Sequence, residues 1–309
     1  MSGFSIGGLD LVGDVEHLLS YHFMLNALRA GTIVAVLAGA IGYFMVLRRQ
    51  SFAGHTLAVI GFPGAAGATW LGLSASLGYY GFCLAGALAI AALPAAGRLT
   101  AGLGGYGDES AVIGTVQAFA LACGFLFVSL YKGFLSGLTG LLFGSITGVS
   151  DGQVLALLVA GAGCLLALLA LGRPLLFSSI DSDVARARGV PVRLVGTAFL
   201  LVLAVAAAGA SQITGSLLVF ALLVTPAATA SRLTARPLPG LLLSVLIAVA
   251  VTWLGEGIAF YSPYPIGFWV TTLAFSSFLL ATGYRHGIDR LGRRRPATPR
   301  GERRGEVAA

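Results

Sequence analysis

The sequence predicts an all-α polytopic membrane protein, on three observations. Hydrophobic residues make up 57% of the 309 and charged residues only 10%, a balance far from that of a soluble domain. Apolar stretches recur from residue 25 to 284, and no polar segment between them is long enough to fold alone. Segments such as LALLVAGAGCLLALLALG (155–172) are apolar on every face, where a transmembrane β-barrel would alternate apolar and polar residues.

A helix needs about 20 apolar residues to cross a hydrocarbon core of about 30 Å. That length places spans near 25–47, 52–73, 79–97, 111–131, 153–171, 195–211, 215–231, 238–260 and 266–284, about eight or nine transmembrane helices. The stretch 133–150 is glycine-rich and short, so it is expected as a broken or re-entrant piece covered by other protein. The domain plan is an external N-terminal segment (1–24), one membrane domain (25–284) and a basic, disordered cytoplasmic tail (285–309).

Placing Arg48 and Arg49 in the cytoplasm puts Arg98, Arg173, Arg186, Arg188, Arg193, Arg232, Arg236 and the arginine tail there too. Only Arg29 and Lys132 fall outside, in accord with the positive-inside bias. The N-terminus is then external and the C-terminus cytoplasmic. The first 24 residues carry Asp10, Asp14 and Glu16 and lack the basic-then-apolar form of a signal peptide.

Eight arginines between 285 and 304 dominate the net charge of +7. A juxtamembrane basic tail meets anionic lipid head groups, so the charge predicts contact with the lipid bilayer and not with nucleic acid. Cys83, Cys123 and Cys164 each fall inside a span without a C-x-x-C pair and read as small packing residues.

No G-x-x-x-x-G-K-[ST] phosphate loop is present, nor a soluble stretch that could hold a catalytic domain. Passage of a solute across the bilayer is the function this leaves, driven by an ion gradient or by a separate subunit. In the cytoplasmic loop GRPLLFSSIDSDVARARGVPVR (172–193), Asp181 and Asp183 lead a stretch able to form a short helix, stopped by Gly189 and Pro191. Acidic residues at its start and Arg186 and Arg188 nearer its end suit the helix dipole. Such a helix is a docking piece for a partner or a solvated, capped turn.

The order of motifs resembles the permease subunits of ATP-binding-cassette importers for zinc, manganese and iron. RRQSFAGHTLAVIGFPG (48–64) is similar to that family's arginine-flanked G-D-x-L-x-H-A-x-x-P-G segment, and LLFGSITGVSDGQ to its L-F-G-x-[IL]-L region. SSIDSDVARARGVPVR resembles its D-x-x-x-A-x-x-x-G loop. TGSLLVFALLVTPAATASRL matches its P-A-A-[TA]-A helix, and FYSPYPIGFWV corresponds more loosely to its Y-x-x-x-x-P-x-G segment. The resemblance implies a permease of the B12-type importer fold, working as a dimer with a second permease copy. It further implies two cytoplasmic ATPases that hydrolyse ATP on separate subunits, and an extracytoplasmic metal-binding protein. The permease itself would not be an enzyme and would bind no permanent cofactor. The loop with Asp181, Asp183, Arg186, Arg188 and Gly189 would be the helix that couples to the ATPase.

Four residues are candidates for a metal path. His55 stands where the family has aspartate, and Val59 where it has histidine. Imidazole suits zinc and carboxylate suits manganese, so His55 favours Zn2+ as cargo, with manganese or iron as alternatives. Glu256 is the only acidic residue inside a predicted span, costly in lipid unless it faces a cavity or partner. Pro226 breaks a backbone hydrogen bond near Leu222, and Thr225 and Thr229 flank it with hydroxyls that either join an ion path or repair the kink. Glu256 and His55 are the whole intramembrane ionisable inventory, which favours external ATP over an ion-gradient-driven secondary transporter. The expected separation of those two residues is about 20 Å.

Overall fold

A computed structural model describes residues 20–92, 106–131 and 148–293. The expectations for residues 1–19, for most of the 133–150 segment and for the tail beyond 293 lie outside them. Among the described residues the chain is all helix, in ten elements. These are α1 (His22–Leu47), α2 (Ser51–Trp70), α3 (Ala75–Ala92), α4 (Tyr106–Leu130), α5 (Asp151–Ile180), α6 (Ser182–Ala187), α7 (Val192–Thr214), α8 (Ser216–Leu233), α9 (Pro237–Phe260) and α10 (Ile266–Arg293). Seven of them are long and apolar enough to cross a membrane, and α2, α6 and α8 are not among the seven.

The inside of the bundle is built on α1 and α7, which are mostly buried, whereas α4, α5 and α10 turn most of their surface outward. That outward surface is apolar. Phe125 is 78% exposed and Leu169 76%, an arrangement that only lipid or another apolar partner can cover favourably. With lipid outside and apolar side chains inside, close van der Waals packing supplies the specificity, and small residues permit it. Gly64 of α2 and Gly78 of α3 show how: a Cβ on either would overlap the other's carbonyl, so the two backbones touch directly.

α5 and α1 run in the same direction. Ser150 opens α5 with a reciprocal cap, its Oγ accepting from the Gln153 amide while the Gln153 side chain accepts from the Ser150 amide at 3.0 Å. The Asn26 amide near the start of α1 donates to Asp151 (2.9 Å) and to the Val149 carbonyl (3.3 Å). At the other end of the same two helices, Arg48 reaches Ser178 and Ser179.

Three boundaries differ from expectation, the first being α5, which continues to Ile180 so that residues 172–180 of the expected loop are helical. α10 continues to Arg293, so residues 285–293 of the expected tail are helical. The expected span 215–231 is α8, separated from α7 by Gly215 alone. Gly215 takes φ +79, a backbone that L residues rarely adopt, and so allows a break with no loop. Phe220 and Leu223 in the first turns of α8 meet His55 and Gly42, which belong to the end where α1 stops and α2 starts. α8 therefore begins inside the bundle, and a sequence-based length count treats it as a full crossing because its composition is apolar.

Candidate functional site

The loop between α5 and α7 folds as an independently capped helix. Asp181 is the N-cap of α6, and its carboxylate accepts from the Asp183 amide (3.0 Å) and the Val184 amide (2.9 Å). That satisfies two of the donors a helix start leaves open. At the other end the Gly189 amide donates to Arg186 and the Val190 amide to Ala185, both at 3.0 Å, with Gly189 at φ +81. This is a Schellman closure, and the apolar contact that accompanies it is Val190 against Ala185 and Val192. Asp183 and Arg186 pair at 3.6 Å on the exposed surface, a contact of little energetic weight. Arg188, the C-cap, is exposed. All five predicted coupling-loop residues are thus in α6 or its caps, and the apolar pin holds the helix at the base of α7.

Arg48 ties that loop to the bundle. Its Nη1 donates to Ser178 Oγ (3.2 Å) and Ser179 Oγ (3.4 Å), its Nε to Gln50 (3.4 Å), and its guanidinium lies 5.9 Å from the centre of the Phe199 ring. Burial pulls the guanidinium down to about 10, which leaves it charged at neutral pH. Sequence reading used Arg48 only as a marker of sidedness. It also joins the end of α5, just before α6, to the turn that starts α2.

His55 lies in the second turn of α2. Its ring meets Phe220 edge-on at 4.6 Å between centroids, and its Nδ1 is buried with no hydrogen-bond partner among the described residues. The next residue, Thr56, is fully buried and donates to Gln117 of α4 at 2.8 Å, a polar pair the sequence reading missed because nothing in either helix marks the partner.

Glu256 is 1% exposed although it lies near the C-terminal end of α9, and neither carboxylate oxygen has a partner among the described residues. It lies against Gly31 of α1, where any side chain would overlap the carboxylate. One turn earlier on the same face, Thr252 is also buried with an unpartnered hydroxyl. Glu256 is therefore packed into the interior of the bundle, away from lipid.

The four path candidates do not converge. Met45 of α1 packs near Gly54 beside His55, and Gly31 packs on Glu256. From Gly31 to Met45 along α1 is about 21 Å at the α-helical rise. Thr225 and Thr229 lie about 140° and 180° around α8 from Phe220, so the face meeting His55 is not theirs. The Thr229 hydroxyl donates to the Thr225 carbonyl at 2.7 Å. α8 stays helical through Pro226. No group of three His, Cys, Asp or Glu able to hold a metal occurs among the described residues.

These features define a polytopic helical membrane protein with a small, separately capped helix at one end of the bundle. Residues 20–285 match the ABC 3 transport family, and the chain belongs to that family of ATP-binding-cassette transporter permeases. It is 32% identical over 221 residues to the manganese transport system membrane protein MntC of Halalkalibacterium halodurans, covering 72% of this chain and 73% of that one. It is 29% identical over 286 residues to the chelated iron transport system membrane protein YfeC of Yersinia pestis, covering 90% and 94%. Among solved structures, PsaBC from Streptococcus pneumoniae in complex with Fab superposes with a TM-score of 0.75 at 28% identity, over 88% of this chain and 95% of that one.

Proposed function

We propose that this chain is the permease subunit of an importer for a divalent transition metal, driven by a separate cytoplasmic ATPase and fed by an extracytoplasmic metal-binding protein. The observation that carries the reading is the family match, which runs from α1 to the last turns of α10. The permease acts as a dimer with a second permease copy, with α6 as the piece that the ATPase grips. Its exposed Asp183, Arg186 and Arg188 offer contacts of both signs, and both of its ends are capped. The α6 end carries Arg48, Arg49, Arg173, Arg186, Arg188, Arg193, Arg232 and Arg236, which supports a cytoplasmic placement of that end and an external N-terminus.

Relatives named for manganese and iron favour those metals as cargo, while the imidazole of His55 favours zinc or iron over manganese. His55 is the metal contact in this reading, because a buried ring nitrogen without a partner is free to bind a cation. Glu256 is a second point on the path. Reconstitution in vesicles with the ATPase and the binding protein tests the function: uptake of zinc, iron or manganese should require ATP. Uptake driven by a proton or sodium gradient without the ATPase would overturn it in favour of secondary transport.

A further inference from the structure

Between α1, α5 and α9, at the α6 end of the bundle, lies a groove of about 260 Å³. Its lining includes Tyr43, Leu168, Leu176 and Leu241, together with Gly172 and Arg173. A Cβ on Gly172 would meet nothing within 4 Å, so the space beside that glycine is open. The surface around the groove is apolar, with Leu169 and Leu238 both exposed. Two arginines border it: Arg173 lines it, and Arg236 immediately precedes the lining residue Pro237. Both are exposed, and neither has an ion pair among the described residues; Arg232, by contrast, lies over the Phe278 ring.

An apolar slot open to lipid, with one guanidinium group at the start of α9 and a second about two turns before the end of α5, neither with an ion pair among the described residues, has the chemistry of one amphiphile. Its tail must be hydrocarbon, since the lining is apolar. Its head must carry an anion at the level of Arg173 and Arg236, since guanidinium groups favour phosphate oxygens. Basic pockets between helices on the cytoplasmic side of membrane proteins take anionic head groups in this way. We propose that the groove binds one anionic phospholipid of the adjacent leaflet, an acyl chain lying along Leu168 and Leu241 and the phosphate held by Arg173 and Arg236. The site is separate from the path residues and from α6, and only the identity of the leaflet rests on the proposed orientation.

The test is native mass spectrometry of the purified full chain, exchanged into detergent with added phosphatidylglycerol, phosphatidylcholine or glycerol phosphate. The basic tail also attracts anionic lipid, so the variants must isolate the groove. Wild type is expected to retain one more phosphatidylglycerol than Gly172→Phe, whose ring fills the slot without touching the tail. It should prefer phosphatidylglycerol over phosphatidylcholine at that site by about tenfold. Arg173→Ala with Arg236→Ala should erase the preference, and Arg173→Lys with Arg236→Lys should restore most of it. Glycerol phosphate should not compete, since it lacks the chain. Equal lipid retention by wild type and Gly172→Phe overturns the proposal, as does a headgroup preference that survives the double alanine variant. Lipid retention is read without ATPase or metal, so its failure leaves the transport reading untouched.

Discussion

Replacing Gly189 with alanine should uncouple transport from ATP hydrolysis without unfolding the bundle. Gly189 is at φ +81 and closes α6. An L side chain in that region costs about 1–2 kcal/mol. If alanine leaves the region instead, the two 3.0 Å closing bonds to Arg186 and Ala185 are lost, at about 1 kcal/mol each. Val190 then leaves its contact with Ala185 and Val192. Either route weakens the closed form of α6 by about 1–2 kcal/mol, a factor of roughly 5–30 in its population. Asparagine tolerates the left-handed region better than alanine, and a β-branched residue worse. Metal-stimulated ATP hydrolysis by the reconstituted complex should therefore fall in the order Gly, Asn, Ala, Val at equal amounts of inserted permease. Wild-type coupling in the valine variant would refute the claim that this closure positions α6 on the ATPase.

His55→Ala should reduce zinc uptake severely, and His55→Asp should restore part of it and move preference towards manganese, because carboxylate is the harder ligand. Uptake of both metals at matched membrane abundance checks this, and an unchanged zinc-to-manganese ratio across all three forms would remove His55 from the path. Glu256→Leu should raise the thermal midpoint, since an unpartnered buried carboxylate costs about 1–3 kcal/mol, and should lower uptake; a lowered midpoint would show that the carboxylate is satisfied. Arg48→Lys keeps the charge but loses the paired contacts to Ser178 and Ser179, so the thermal midpoint should drop by the equivalent of about 1–3 kcal/mol. The same variant should also raise the ATP hydrolysed per metal moved, and an unchanged ratio would make Arg48 a purely structural clamp.

Most of the fold was legible because lipid imposes one rule on backbone and side chain alike. Every backbone donor must be met within the segment, so long apolar runs can only be helices, and their count follows from length. What length could not reveal was α8. Its sequence is apolar enough to read as a span, but its depth is set by Gly215 and by the contacts of Phe220 and Leu223, which depend on helices far away in sequence. The short helix α6 was the most legible piece. Asp181, Gly189 and Pro191 act through local backbone geometry, so their meaning is carried in a dozen consecutive residues.

The candidate path was least legible, for a physical reason. A residue's type says what it can bind, but on a helix with no polar face nothing local says which way it points. Thr225 and Thr229 flank Pro226 in sequence, yet the helical rotation carries them away from the face that meets His55. Glu256 could be recognised as anomalous from sequence, but not that its neighbour is Gly31. Arg48 shows the converse error. Its charge was explained completely by sidedness, and that sufficient explanation hid a second role, since the same guanidinium spans from the turn before α2 to the end of α5. From Arg48 the chain leads within a few residues to His55 in one direction, and from Ser179 to Asp181 in the other. In the proposed coupling, a displacement of α6 by the ATPase would have a short route of direct contacts to the start of α2, and this is the route the Arg48→Lys measurement interrogates.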